Sequence, residues 1–350
     1  MIPVQSLRHI ADEDFDRLSA EIPLTSLAGK TVLITGATGF FGAWLLSAFD
    51  WMHRMRGSTA HVLAVSRDAS AFLARHPDFR DAPWLTWITG DVRDFPCPDR
   101  KIDMVLHAAT DTSAAAGRNP ALLFSTIVDG TRHVLECARR TQASRILLVS
   151  SGAAYGGQGR EVTHVGEDAA LPPPRPQARD TDPYGEGKRE MESMAAAFAA
   201  ETGASVVIAR CFAFVGAGLP LDGHFAIGNF IRDALSQDRI TIRSGGTAER
   251  SYLYAADLAI WLLRLLVSDT KWPVYNVGSD QALSIADLAR VVVRTLAPSK
   301  LVSVEGWDDP ANGRHRYIPS VKRARDEIGL EVWTDLAQAI ARTAAWRISP

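Results

Sequence analysis

The chain is poor in cysteine, with three in 350 residues, and it has no large excess of either charge. It also lacks a long apolar run and an internal repeat. Each shortage excludes something. Cys97, Cys137 and Cys211 are odd in number and follow no metal-ligand spacing. They read as free thiols of a reducing, cytoplasmic compartment, against a disulfide framework or a structural metal site. Thirty-eight Lys and Arg stand against 40 Asp and Glu, a net charge of −2. That balance offers no positive field to recruit nucleic acid or an anionic membrane. The most apolar stretches, such as 211–221, fall short of the ~20 residues that a membrane-spanning helix requires. The opening MIPVQSLRHIADEDFDRL is acidic and has no long apolar core, unlike a secretory signal. Small-molecule partners are therefore expected.

What is present is a globular pattern, 47% hydrophobic and 22% charged. The length suggests one large α/β unit with a smaller lobe attached. Residues 1–28 read as a polar extension with a short helix near 12–18. Buried-strand patterns follow at 31–35, 61–65, 85–88, 102–107, 145–149 and 205–208, with helical patterns between most of them, including 42–55, 121–141 and 185–200. Strands alternating with helices predict βαβ units and a parallel sheet. A loop rich in proline separates the fifth strand from the next helix, with five prolines in 156–183. Beyond about Phe214 the alternation weakens into turns and short helices such as 285–296 and 321–327.

Three constellations carry chemistry. The first is Thr35-Gly36-Ala37-Thr38-Gly39-Phe40-Phe41-Gly42, a GxxGxxG spacing between a strand pattern and a helix pattern. Such glycines permit a tight turn that brings a pyrophosphate against the amides and positive dipole of a helix start. An ordinary glycine-rich turn is the plain alternative. The second lies at the ends of the next two strands. Ser66 stands where an acidic residue would bind a ribose 2′-hydroxyl, and Arg67 follows it, which favours NADP(H) over NAD(H). Arg67 could equally be a surface residue paired with Asp68. Asp91, with Val92 beside it, either reaches the adenine amino group or serves as a turn residue. The third is Ser150-Ser151 with Tyr184-Gly185-Glu186-Gly187-Lys188. Positions i and i+4 share a helix face, so Lys188 is expected to lower the Tyr184 pKa and make it a usable acid or base. A serine hydroxyl would bind the same substrate oxygen while a nicotinamide handles hydride.

With TGATGFFG, GDV, His107-Ala108-Ala109, SSGAAYG and YGEGK in this order, the chain resembles the extended short-chain dehydrogenase/reductases, in their nucleotide-sugar epimerase and dehydratase branch. The similarity spans about 28–345. It implies a Rossmann-type, doubly wound parallel sheet in 29–213, with 247–268 returning to it. It further implies a smaller mixed substrate lobe in 214–246 and 269–350. By position it assigns Tyr184, Lys188 and Ser151 to the catalytic set, with Gly36, Thr38, Gly39, Phe40, Phe41, Gly42, Ser66, Arg67, Asp91, Val92, Ala108 and Ala109 at the dinucleotide. Asn229, Arg250, Arg314 and Arg316 fall where such enzymes hold a nucleoside diphosphate sugar, and guanidinium forks suit phosphate oxygens. A homodimer through the helices near 121–141 and 185–200 is also implied.

The chain departs from the family where sugar 4,6-dehydratases carry an acidic pair, since Gly152 and Ala153 stand there. UDP-glucuronate decarboxylases carry a glutamate at the position of Ala153, which makes decarboxylation the runner-up. Ile127 and Ala213 replace asparagines common in the family. The reading is an epimerase or 4-ketosugar reductase acting at a sugar carbon, C4 by preference. A non-catalytic dinucleotide-binding protein is the competing class.

Overall fold

A computed structural model describes residues 6–110, 118–159, 161–173, 182–223, 225–307 and 315–346. Arg314 lies outside the described residues. Seven strands form the central sheet: β1 (Thr31–Thr35), β2 (His61–Ser66), β3 (Leu85–Thr89), β4 (Met104–His107), β5 (Arg145–Ser151), β6 (Ser205–Cys211) and β11 (Val274–Val277). Their order is β11-β6-β5-β4-β1-β2-β3, every neighbouring pair is parallel, and the order reverses beside β1, between β4 and β2. This is the doubly wound arrangement, in which ligands bind beyond the carboxyl ends of the strands at the reversal. The strands are short runs of β-branched and aliphatic residues, such as TVLIT in β1 and RILLVSS in β5. Helices cover both faces, as parallel strands demand.

The remaining strands are short: β7 (Phe214–Val215), β8 (Arg239–Ile242), β9 (Glu249–Arg250), β10 (Leu253–Tyr254), β12 (Leu283–Ser284), β13 (Leu301–Val304) and β14 (Arg316–Tyr317). Among the described residues they make three small sheets, β10-β7, β12-β9-β14 and β13-β8. The resemblance implies that 269–350 belongs to the second lobe, but β11 joins the central sheet beside β6. Its buried Tyr275 and Val277 need the same core that β6 lines.

Two further expectations are corrected. The described residues 6–28 are not a polar appendage. The helix Leu7–Arg17 buries Leu7, Ile10, Ala11 and Phe15 against the Phe40–Arg56 helix, with Phe15 edge-on to Trp44 at 6.2 Å. Charged residues hid this from the sequence because they are used in specific pairs. Arg8 bonds Asp50 at 3.0 Å, Trp51 Nε1 donates to Asp16 at 2.9 Å, and Tyr254 donates to buried Asp14 at 2.6 Å. The cysteines are not all free thiols either. Cys97 and Cys137, 40 residues apart, form a disulfide, and Cys211 alone is free and buried. The bond ties the loop after β3 to the helix Pro120–Arg140, a proximity that only the βαβ crossover creates. No described helix is long and apolar enough to cross a membrane.

Candidate active site

The glycine-rich turn connects β1 to the helix Phe40–Arg56. Gly36 has φ +72°, and a Cβ there would lie 2.7 Å from the Ala108 carbonyl oxygen. At Gly42 a Cβ would lie 2.4 Å from the backbone of Gly36 and Ala37. Both positions thus require glycine, and the helix start is drawn tightly under the strand end. Gly39 caps that helix without a side-chain partner, so its first amides are available to an anion. Phe40 and Phe41 pack ring to ring at 6.0 Å, and Phe41 meets Phe214 edge-on at 5.0 Å.

His107 stiffens this corner from below. Thr131 gives its hydroxyl proton to the Ile127 carbonyl at 2.7 Å, so it accepts from His107 Nε2 at 3.2 Å. His107 Nδ1 then accepts from Thr35 Oγ1 at 2.7 Å, and Thr35 Oγ1 accepts the Ala109 amide at 3.3 Å. Burial pushes the imidazole pKa down to about 3, which keeps it neutral and this relay intact. The cradle therefore fits a dinucleotide pyrophosphate.

At the ends of β2 and β3, Ser66 Oγ stands 3.5 Å from Thr38 Oγ1, and Arg67 is exposed. Asp68 accepts the Ser70 amide at 2.7 Å. Asp91 is engaged by Arg93 through the side chain at 2.7 and 3.1 Å and through the backbone amide at 3.0 Å. Hydrogen bonding to Arg93 holds its carboxyl below the usual range. Val92 is buried and sits where a Cβ on Gly130 would press, at 2.9 Å.

Ser151 ends β5, and the helix Pro183–Thr202 brings Tyr184 and Lys188 to it. Asp182 caps this helix by accepting the Gly185 amide at 3.1 Å, with Pro183 at its first position. Gly187 allows close approach to the preceding helix, since a Cβ there would meet Ile127 at 3.2 Å. Ser151 Oγ bonds the Tyr184 phenol, accepts the Ala153 amide at 3.1 Å, and lies 3.2 Å from the Tyr317 hydroxyl.

Lys188 Nζ donates to the Val149 carbonyl at 2.7 Å and to Thr110 Oγ1 at 2.9 Å, and lies 5.7 Å from the Tyr184 ring centre. Thr110 in turn donates to the Ala109 carbonyl at 2.7 Å. A hydrogen-bond chain thus runs from Lys188 to the glycine cradle. Burial dominates the proton affinity of both groups. Burial raises the tyrosine pKa well above its ordinary value, opposed by the Ser151 hydroxyl, while burial lowers Lys188 to about 8. Lys188 is not among the largest influences on the Tyr184 phenol, where desolvation leads.

The sequence reading missed three participants. Thr110 directly follows His107-Ala108-Ala109. Glu192, one turn beyond Lys188, accepts from Ser150 Oγ at 2.5 Å and from Arg210 Nη2 at 2.6 Å, a buried pair behind the site. Tyr317 comes from β14, where the sequence pointed to the neighbouring Arg314 and Arg316 but not to the tyrosine itself. Of the candidate substrate residues, Arg250 lies on β9 in register with Tyr317. Arg250 Nη1 donates to the Glu249 carbonyl at 2.8 Å, and Arg316 pairs with the Glu249 carboxylate. Asn229 accepts from Arg232 at 3.1 Å.

The model of the family described as "NAD dependent epimerase/dehydratase family" matches residues 32–278. UDP-glucuronic acid decarboxylase 5 of Arabidopsis thaliana is 27% identical over 318 residues, covering 88% of this chain and 86% of that protein. Among solved structures, UDP-glucose 4-epimerase of Thermotoga maritima, with UDP-glucose, superposes with a TM-score of 0.75 at 19% identity, covering 90% of this chain and 98% of that one. UDP-glucuronic acid 4-epimerase of Bacillus cereus, in complex with UDP-glucuronic acid and NAD, does so with 0.74 at 20% identity and the same coverage. With the glycine cradle, the Ser151-Tyr184-Lys188 cluster and a family match over most of its length, the chain belongs to the NAD dependent epimerase/dehydratase family and is an NAD(P)-dependent enzyme of the short-chain dehydrogenase/reductase type.

Proposed function

We propose that the protein binds a nucleoside diphosphate sugar and carries out epimerisation or keto-group reduction at a sugar carbon, C4 by preference. The observation that carries this is the continuity between Ser151, Tyr184 and Lys188 and the glycine cradle through Thr110 and Ala109. Gly36, Gly39, Gly42, Ala108 and Ala109 would hold the dinucleotide, with Lys188 at its nicotinamide ribose. When bound, that cofactor supplies the hydride acceptor and donor. Ser151 donates to the sugar oxygen, and Tyr184 holds or moves the proton at that same oxygen. Because burial favours the neutral phenol, Tyr184 is better prepared as the acid toward a keto sugar than as the base toward a hydroxyl. Arg250 and Arg316 on the β9–β14 pair are the candidate diphosphate ligands, and Asn229 on the helix Ala226–Ser236 is a further candidate for the substrate.

Ser66 and Arg67 at the β2 end support NADP(H) over NAD(H), since a guanidinium complements a 2′-phosphate. The decarboxylase relative favours a second reading, removal of the carboxyl group from UDP-glucuronate. Ala153 offers no acid or base beside Ser151 for that step. Exposed Leu122 and Phe124 on the helix Pro120–Arg140 support the homodimer face. Light scattering on the eluting protein tests it, and a monomer at micromolar concentration rejects it.

The deciding experiment is to denature the purified protein and identify any released nucleotide by chromatography and mass spectrometry. Stoichiometric NAD or NADP marks a cofactor recycled within each turnover, as epimerases and decarboxylases need. Release of carbon dioxide from UDP-glucuronate then separates those two. Protein that emerges empty and binds NADPH is a reductase. Protein that binds dinucleotide but turns over no UDP- or dTDP-hexose is not an enzyme of this kind.

A further inference from the structure

The hydroxyl of Ser151 has one proton and room for two incoming hydrogen bonds. One acceptor position is filled by the Ala153 amide at 3.1 Å. The Tyr317 hydroxyl stands 3.2 Å away and also reaches the Cys211 carbonyl, to which it donates at 3.4 Å. Turned toward Ser151, the phenol fills the second position. The serine proton then has only one direction left, toward Tyr184 and the substrate oxygen. Turned toward Cys211, the phenol becomes an acceptor and draws the serine proton away from the site.

The surroundings are built for this approach. The Tyr317 ring packs on Phe212 with centres 4.7 Å apart. A Cβ on Gly152 would stand 2.8 Å from the Tyr317 hydroxyl and 2.7 Å from the Phe212 ring. No side chain fits at 152 while the phenol is in place. The departure from the dehydratase pattern at Gly152 and the tyrosine on β14 therefore belong together. Tyr317 also sits in register with Arg250, so the strand pair that carries a candidate phosphate ligand also carries this hydroxyl.

Resting on the reading of Ser151 and Tyr184 given above, we propose that Tyr317 is a positioning residue: it donates to Ser151 Oγ and commits that hydroxyl as a donor to the substrate oxygen, and residue 152 is glycine to admit it. The groups facing the Tyr184 phenol are Ser151 on β5, Cys211 on β6, Tyr317 on β14, and Asp182 and Lys188 on its own helix. Only the first is set by Tyr317, and losing its donated bond leaves the tyrosinate less stabilised.

The contact is tested first on the full chain without cofactor, by thermal unfolding of the Tyr317→Phe, Ser151→Ala and double variants. Phe keeps the packing on Phe212 and removes only the hydroxyl. The loss of Tm from Tyr317→Phe should shrink by more than half in the Ser151→Ala background, and additive losses overturn the contact. Turnover is then followed with UDP-glucuronic acid and UDP-glucose as probes. Tyr317→Phe should lower kcat about tenfold with KM changed less than about twofold, because the lost interaction orients a group in the transition state. The pH limb of kcat/KM assigned to Tyr184, which reports the enzyme before substrate takes the serine proton, should move upward, and Gly152→Ala should reproduce the kcat loss. Unchanged kcat with an unmoved limb, or a rise in KM alone, overturns the proposal. Activity surviving in Tyr184→Phe would instead defeat the functional reading, so the two failures are distinct.

Discussion

Lys188 is buried and yet cationic in its role, and those two facts oppose each other. Desolvation alone would favour the neutral amine, and it brings the pKa down to about 8. Cys211 and the Glu192 carboxylate oppose this, and the Val149 carbonyl and the Thr110 hydroxyl accept hydrogen bonds from the lysine at 2.7 and 2.9 Å. If ribose hydroxyls join them when the dinucleotide binds, the charged form gains and its pKa rises. Binding of NAD at about pH 8.5 should then take up a fraction of a proton, and binding at about pH 6.5 should take up almost none, because the lysine is already charged there. Calorimetry in buffers of different ionisation enthalpy reads this directly. The uptake should vanish in Lys188→Met, and if it persists there another group is titrating.

At the scale of elements, the turn from β1 into the Phe40–Arg56 helix is the most demanding piece of backbone near the site. Gly36 needs both a positive φ and clearance from Ala108, and Gly42 needs clearance from the turn itself. Gly36→Ala meets both obstacles at once. It should cost about 1–3 kcal/mol of stability, from the φ +72° strain and the 2.7 Å clash. Dinucleotide affinity should fall at least tenfold, because the clash displaces the amides that face the pyrophosphate. Fluorescence titration with NADH and NADPH checks it, and undiminished affinity would move the cofactor away from this turn. The helix Pro183–Thr202 shows the same logic in packing. Gly187 lets it close on Ile127, and that contact brings Tyr184 and Lys188 to the end of β5.

At the scale of the whole molecule, a buried acidic cluster ties the two ends of the chain to the middle. Asp14 on the N-terminal helix accepts from Tyr254, and Asp257 accepts from the Thr334 amide and hydroxyl at 2.9 and 2.7 Å. Arg17 and Arg342 reach Asp14 from either side at 3.4 and 3.1 Å. Burial raises Asp257 from 3.8 to about 6. A raised carboxyl pKa means that the folded state holds the proton more tightly than the unfolded chain. Its stabilising contribution is complete below about pH 4 and is lost as pH climbs through about 6. Asp257→Asn cannot ionise. Relative to the wild type it should gain stability across that window, by on the order of 2–3 kcal/mol. Denaturant unfolding of both proteins from pH 4 to 7 measures it, and a difference independent of pH would show Asp257 to be ionised throughout.

The parallel sheet was legible in the sequence because local pattern forces it. Runs such as VLIT and ILLV cannot face water, and strands joined by helices have few arrangements open to them. The glycine cradle and the Tyr184-Lys188 pair were legible for a similar reason, since turn geometry and helix periodicity act over a few residues. The contribution of residues 6–28 was not, because their charges look solvated until Asp50, Tyr254 and Arg342 are brought beside them. Cys97 and Cys137 are 40 residues apart and meet only across a crossover. Tyr317 is 166 residues from Ser151 and reaches it on a two-residue strand paired to β9. Lys188 and Tyr184 have the spacing that the chemistry asks for, but burial determines their proton affinities, and burial belongs to the assembled core. Sequence thus determined what short-range sterics and hydrophobic periodicity dictate. Tertiary structure decided which distant hydroxyls and charges share a desolvated space, since that depends on contacts no local pattern contains.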